Sequence, residues 1–220
     1  MSHYRKDWES QSEEEAKRKV LFTLKSKIFK ERFEEEFEET GKKEANIILK
    51  YVNTNAVVLD LGCGVGRVSK YLAPHVKELH GVDVSEKMIQ FAKDNCDKLK
   101  NVYFKVNNGR DLSLYRDSMF DFVYSLLMLQ HLKKEDAFKY INEVYRVLKN
   151  GGRGLFQFPD KHASIYWICS LYNLIDRKPS KMRLYTEREA KKALKEAGFD
   201  NMKRVPLTRN EINLLAEKRV

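Results

Sequence analysis

Between residues 10 and 50 the chain is dominated by Glu and Lys, has no Pro and no Gly before Gly41, and repeats the apolar Val20, Leu21, Leu24 and Ile28 at helical spacing. The acidic run Glu34-Glu35-Glu36-Phe37-Glu38-Glu39 reads as a solvated helical face that stops near Thr40-Gly41, where glycine ends a helix, and a second short helix follows from Lys43 to Tyr51. From residue 56 the pattern switches to short apolar runs alternating with amphipathic stretches. Ala56 to Leu61 has the composition of a strand buried on both faces of a parallel sheet. Further strands are predicted at Glu78 to Asp83, Val102 to Val106, Phe120 to Ser125, Gly154 to Phe158, Met202 to Pro206 and Ile212 to Glu217. Helices are predicted from Arg67, from the N-cap Ser85 to Asn95, and from Glu135 to Leu148. The last of these would turn Phe138, Ile141, Val144, Tyr145 and Leu148 inward and end at Asn150-Gly151-Gly152. A capping box, Thr186 with Glu189, opens a final helix that closes at Ala197-Gly198. Strands separated by helices predict an α/β fold, a mostly parallel sheet with right-handed crossovers.

Composition narrows the class. With 220 residues, 42% apolar and only 4 Pro and 10 Gly, the chain is long enough for one sizeable core and is not a low-complexity sequence. At 34% charged it holds no apolar run near the roughly 18 to 20 residues that cross a bilayer. The start, Met1-Ser2-His3-Tyr4-Arg5-Lys6-Asp7-Trp8, lacks the apolar stretch of a secretory signal and soon turns acidic, so the expected location is cytoplasmic. Cys63, Cys96 and Cys169 lie far apart, which predicts neither a disulfide framework nor a metal site.

The chemistry concentrates in Val58-Leu59-Asp60-Leu61-Gly62-Cys63-Gly64-Val65-Gly66-Arg67, followed by Gly81-Val82-Asp83-Val84-Ser85. Glycines at a strand-to-helix turn let a ligand approach the backbone, and Asp83 ends the next strand 19 residues after Gly64. A nicotinamide or flavin fingerprint requires Gly or Ala at the sixth place, but Arg67 or Ser69 stands there, depending on which glycine starts the count. A carboxylate such as Asp60 before the loop repels a pyrophosphate and suits a ligand with an ammonium group. S-adenosylmethionine, with its α-amino group, its sulfonium and no phosphate, is such a ligand. Cys63 in this loop reads as a small filler.

Over roughly residues 45–200 the chain resembles the class I S-adenosylmethionine-dependent methyltransferases, closest to the small-molecule branch called type 11 that includes quinone-biosynthesis enzymes. The resemblance implies a Rossmann-like, seven-stranded sheet and S-adenosylmethionine as cofactor, with S-adenosylhomocysteine as product. It implies that Asp60, Gly62, Cys63, Gly64 and Gly66 surround the methionine part, that Asp83 holds both ribose hydroxyls, and that Val84 and Met88 contact the adenine. Val106-Asn107-Asn108-Gly109-Arg110-Asp111-Leu112 corresponds to the loop after the third strand, where Asn108 stands in place of the usual Asp and loses its charge. Ser125 and Leu126, at the end of the fourth-strand motif, complete the implied cofactor set; Leu148 to Gly152 and Ala197-Gly198-Phe199 match later turns.

The resemblance implies methyl transfer by in-line displacement to an oxygen, nitrogen or carbon nucleophile of a small molecule. For an oxygen or protonated nitrogen acceptor a base is useful, and His131, just past the fourth strand, is the candidate, with a helix-capping histidine as the competing reading. No Asn/Asp-Pro-Pro-aromatic segment follows that strand, so nucleic-acid bases are disfavoured as substrates. Residues 1–45 are expected to form a helical extension serving as lid and pocket, with Tyr4 and Trp8, on a methyltransferase domain of residues 46–220. A helical insertion at about 160–184, with Tyr166 and Trp167, would complete a pocket for an apolar or anionic small molecule. Residues 151–220 carry 15 Lys and Arg against 8 Asp and Glu, which keeps an RNA- or protein-directed enzyme as the alternative. A non-catalytic cofactor-binding scaffold is the second alternative, and the oligomeric state is not legible.

Overall fold

The computed structural model describes residues 3–20, 32–163, 183–208 and 210–219. The strands are β1 (Val57–Leu61), β2 (Glu78–Asp83), β3 (Val102–Val106), β4 (Phe120–Ser125), β5 (Leu148–Pro159), β6 (Phe199–Arg204) and β7 (Glu211–Lys218). The described helices are α1 (His3–Glu9), α2 (Glu13–Val20), α3 (Phe33–Ile48), α4 (Ser69–Leu72), α5 (Glu86–Asn95), α6 (Lys134–Val147) and α7 (Glu187–Glu196). One seven-stranded sheet runs β3-β2-β1-β4-β5-β7-β6. β1 pairs parallel with β2 and β2 with β3, whereas β7 is antiparallel to both β5 and β6. This is the α/β, mostly parallel, Rossmann-like arrangement with helical flanks that the sequence predicts.

The chain divides into two compact units, residues 1–109 with 120–122, and residues 110–119 with 123–220. In the first, Val58, Leu59 and Leu61 of β1 and Leu79 and Val82 of β2 are buried together with Leu72 and Ala92 from the helices. In the second, Phe156 and Phe158 of β5 and Ile212 and Leu214 of β7 are fully buried, and Phe199 meets Tyr145 and Phe156 edge-on at 5.2 and 5.3 Å. The predicted domain boundary at residue 45 falls inside α3, a helix that belongs to the first unit.

Three local expectations are corrected. Gly41 does not end a helix: α3 runs through it, and a Cβ there would lie 2.5 Å from the Arg67 carbonyl oxygen. Glycine stands at this position because two backbones approach each other. Gly41→Ala is therefore expected to destabilise the fold by about 1 to 3 kcal/mol, the cost of overpacking a tight contact, seen as a lowered urea midpoint with an unchanged denaturant slope. The buried stripe of α6 is Ala137, Tyr140, Ile141, Val144 and Val147, so Phe138 and Tyr145 lie at its partly exposed margin. The small Ala137 sets that stripe, one position away from the large Phe138. Finally, Asn150-Gly151-Gly152 belongs to β5, which starts directly at Leu148 as α6 ends at Val147.

Candidate functional site

In the first unit the glycine loop is built by its own hydrogen bonds. Gly62 and Cys63 both donate to the Val82 carbonyl, at 2.9 and 3.0 Å, and Gly66 donates to the Cys63 carbonyl at 2.9 Å. The loop thus curls over the end of β2. Gly64 has φ +51°, a left-handed conformation that costs other residues about 1 to 2 kcal/mol, and no atom lies within 4 Å of where its Cβ would stand. Open space in front of a left-handed backbone is what a close-approaching ligand needs. Gly66 has a different reason for being glycine, since its Cβ would meet Ala92 at 3.3 Å and Cys96 Sγ at 3.4 Å.

Asp83 closes the same corner. Its Oδ2 accepts the Gly64 N–H at 3.1 Å and its Oδ1 accepts the Ser85 N–H at 3.0 Å, so one carboxylate braces both the glycine loop and the start of α5. Its dry surroundings push its pKa up to about 6, against the pull of the Ser85, Gly64 and Val84 N–H groups, and the Glu9 carboxylate adds to the rise. Ser85 Oγ caps α5 by accepting the Met88 N–H at 3.2 Å. Glu9 of α1 accepts the Glu86 N–H at 3.1 Å, and Arg5 pairs with the Glu86 carboxylate, which seats α1 on the beginning of α5.

The other expected residues occupy distinct settings. Asp60 is buried and accepts the Ser69 hydroxyl at 2.6 Å, linking the end of β1 to α4. Cys63 is buried and burial lifts its thiol far above the ordinary range, while Cys96 is pushed up to about 12 by the same cause; neither behaves as a nucleophile. Val84 is partly exposed. Met88 is buried in a cluster with Ala16, Phe33, Phe37 and Val65, against which Trp8 packs; Tyr4 is partly exposed. Asn108 is exposed and Gly109 partly so. Asn107, which the sequence reading passed over, organises their turn: its N–H donates to the Asp83 carbonyl at 2.7 Å and its side-chain oxygen accepts the Gly109 N–H. An Asn two residues before a Gly is the signal of such an Asx turn.

In the second unit Ser125 and Leu126 are buried at the end of β4. Leu127 follows with φ +60°, uncommon for a bulky residue, and its N–H is held at 2.9 Å by the Oε1 of buried Gln157. His131 ends the short 3-10 turn Leu129–His131 and is partly exposed. Gln130 Nε2 lies 3.2 Å from His131 Nε2. This contact places the Gln130 amide against the imidazole ring. Gln130 and Gln157 were not singled out from sequence because their roles depend on partners at the ends of other strands. Tyr166, Trp167, Cys169 and nearly all of the expected insertion lie outside the described residues.

Comparison with known proteins agrees with this geometry. Residues 58–152 match the model of a methyltransferase domain. A demethylmenaquinone methyltransferase of Tropheryma whipplei is 31% identical over 102 residues, 46% of this chain and 41% of that protein. The chain thus covers less than half the length of that relative. A SAM-dependent methyltransferase of Methanosarcina mazei superposes with a TM-score of 0.64 at 25% identity, over 79% of this chain and 97% of that one. The magnesium protoporphyrin IX methyltransferase of Synechocystis, crystallised with bound S-adenosylhomocysteine, superposes with a TM-score of 0.72 at 19% identity over 97% of each chain. At that identity the likeness is one of fold.

Proposed function

We propose that this chain, whose residues 58–152 match a methyltransferase domain, is a class I enzyme that transfers a methyl group from S-adenosylmethionine to a nucleophilic atom of a small molecule. The observation that carries this reading is the corner formed by Asp83 and Gly64, a carboxylate bonded to a left-handed glycine that has open space in front of it. The residues there fit the cofactor: Asp83 is an acceptor for a ribose diol, and the glycine loop offers bare backbone to the methionine part. Asp60, with Ser69 on one oxygen, supplies negative charge toward an ammonium group. When bound, S-adenosylmethionine supplies an electrophilic methyl on a positively charged sulfur.

The protein's part is then to hold and orient, because in-line displacement depends on alignment and on exclusion of water. In this reading α1, seated through Arg5 and Glu9, covers the start of α5, and Tyr4 and Trp8 border the acceptor. His131, just past β4, is the base that takes the proton of an oxygen or nitrogen acceptor. A small aromatic or quinol-like acceptor is favoured by the name of the Tropheryma relative. An RNA or protein substrate has less support, since several cations of the last third are already paired: Lys191 and Arg204 with Glu187, and Arg219 with Asp200. Among the described residues no helix is long and apolar enough to cross a membrane. Buried free thiols at Cys63 and Cys96 suit the reducing cytoplasm.

The pH dependence of product binding tests the ribose assignment. Ribose hydroxyls donate to the ionised carboxylate, whereas free Asp83 titrates at about 6 instead of its ordinary 3.8. Binding of S-adenosylhomocysteine should therefore be constant above about pH 7 and weaken roughly tenfold per pH unit once the pH falls below the raised value. The unliganded fold should show the opposite sign, losing stability as the pH rises from 3.8 through about 6 and the buried group ionises. Calorimetric titrations from pH 5 to 8 check this, with Asp83→Asn expected to bind weakly and without the pH slope; a flat wild-type profile would remove Asp83 from the ribose.

A further inference from the structure

Arg67 stands directly after the glycine loop, and its guanidinium does not face solvent. Its side chain is 8% exposed and pairs at 2.6 Å with the Glu44 carboxylate of α3, itself 10% exposed. A second guanidinium nitrogen donates to Thr40 Oγ1 at 3.1 Å, and that hydroxyl donates onward to the Phe37 carbonyl at 2.9 Å. The plane lies 5.8 Å from the Phe37 ring. Gly41, between Thr40 and Glu44, lets the α3 backbone reach the Arg67 carbonyl. One turn of α3 therefore grips one loop residue through its side chain and its backbone together.

Such a contact is a poor way to gain stability. A buried ion pair loses in desolvation much of what it gains in attraction, and apolar replacements of similar size often fold as well or better. Its particular gain is direction, because a guanidinium held by a carboxylate and a hydroxyl on neighbouring turns has one orientation. The residue so fixed is the one whose main chain continues from Gly66, where the loop turns into α4.

We infer that Arg67, held by Glu44 and Thr40, is a positioning residue that presets the glycine loop for S-adenosylmethionine and its product. This rests on the proposed function, since it assumes that the loop is the cofactor's seat. Through this grip α3 also ties the helices at the start of the chain to the loop, because Lys17 of α2 pairs with Glu34 of α3 at 2.9 Å. Arg67 touches no reacting atom in this account; it acts through the loop backbone.

The test separates positioning from stability. In the double variant Arg67→Met with Glu44→Leu the ion pair becomes an apolar contact, so the melting temperature should be equal to or above that of the wild type. Its affinity for S-adenosylhomocysteine, measured by calorimetry well below melting, should fall about tenfold, the scale on which residues outside a site modulate it. Amide exchange in residues 62–67 should accelerate in the same variant, with the rest of the first unit unchanged. Arg67→Lys, which keeps the charge but loses the fork, should fall between wild type and the double variant. If the double variant folds and binds the product with wild-type affinity, the inference is overturned. If it unfolds, Arg67→Lys decides: wild-type affinity overturns the inference and a loss upholds it. A wild-type protein that binds no S-adenosylhomocysteine would instead sink the proposed function.

Discussion

Replacing Asp83 with alanine is expected to weaken S-adenosylhomocysteine binding by about 1 to 3 kcal/mol, the cost of removing a charged hydrogen-bonding partner. The size follows from the two tasks of this carboxylate. It receives the ribose diol in the proposed complex, and it already holds the Gly64 and Ser85 N–H groups, so its removal also releases the corner of the loop. Asp83→Asn restores a side-chain oxygen but not the charge, and should recover only part of the loss. The fold should survive, because strands β1 and β2 remain paired through five registered positions. Calorimetry that finds unchanged affinity in the alanine variant would remove the ribose assignment.

His131→Ala is the second large effect. With a hydroxylated aromatic acceptor that the wild-type protein methylates, turnover should drop by about 100-fold or more, the usual contribution of a general base. Product affinity should stay nearly constant, because the imidazole is given no cofactor contact. The wild-type rate should rise with pH as the imidazole loses its proton, and the variant should lose that rise. Near-normal turnover in the variant would leave His131 as the residue that ends the 3-10 turn, with Gln130 as its neighbour.

These two residues show how far the chain could be read before its structure. The strands that place them, β2 and β4, were legible because each is a short apolar run bounded by turn residues, and their ends fall where the sequence predicts them, at Asp83 and Ser125. The caps Ser85 and Thr186 were legible for the same local reason: a side-chain oxygen and an N–H two or three residues away complete the bond. What escaped depends on pairs distant in sequence. Gly41 looks like a helix stop until Arg67 is seen against it. In the sequence Arg67 opens a predicted helix and excludes a dinucleotide fingerprint, since nothing local pairs it with Glu44, 23 residues earlier. Gln157 likewise becomes meaningful only once its Oε1 is found on the N–H of Leu127, 30 residues earlier.

The central claim is that the loop from Gly62 to Gly66, with Asp83, is a seat for S-adenosylmethionine and not for a dinucleotide. Parallel calorimetric titrations of the wild-type protein with S-adenosylhomocysteine and with NAD test it most directly. Saturable, one-to-one binding of S-adenosylhomocysteine at pH 7.5 and no heat from NAD are the expected results. Binding of NAD, or absence of binding by S-adenosylhomocysteine, would contradict it.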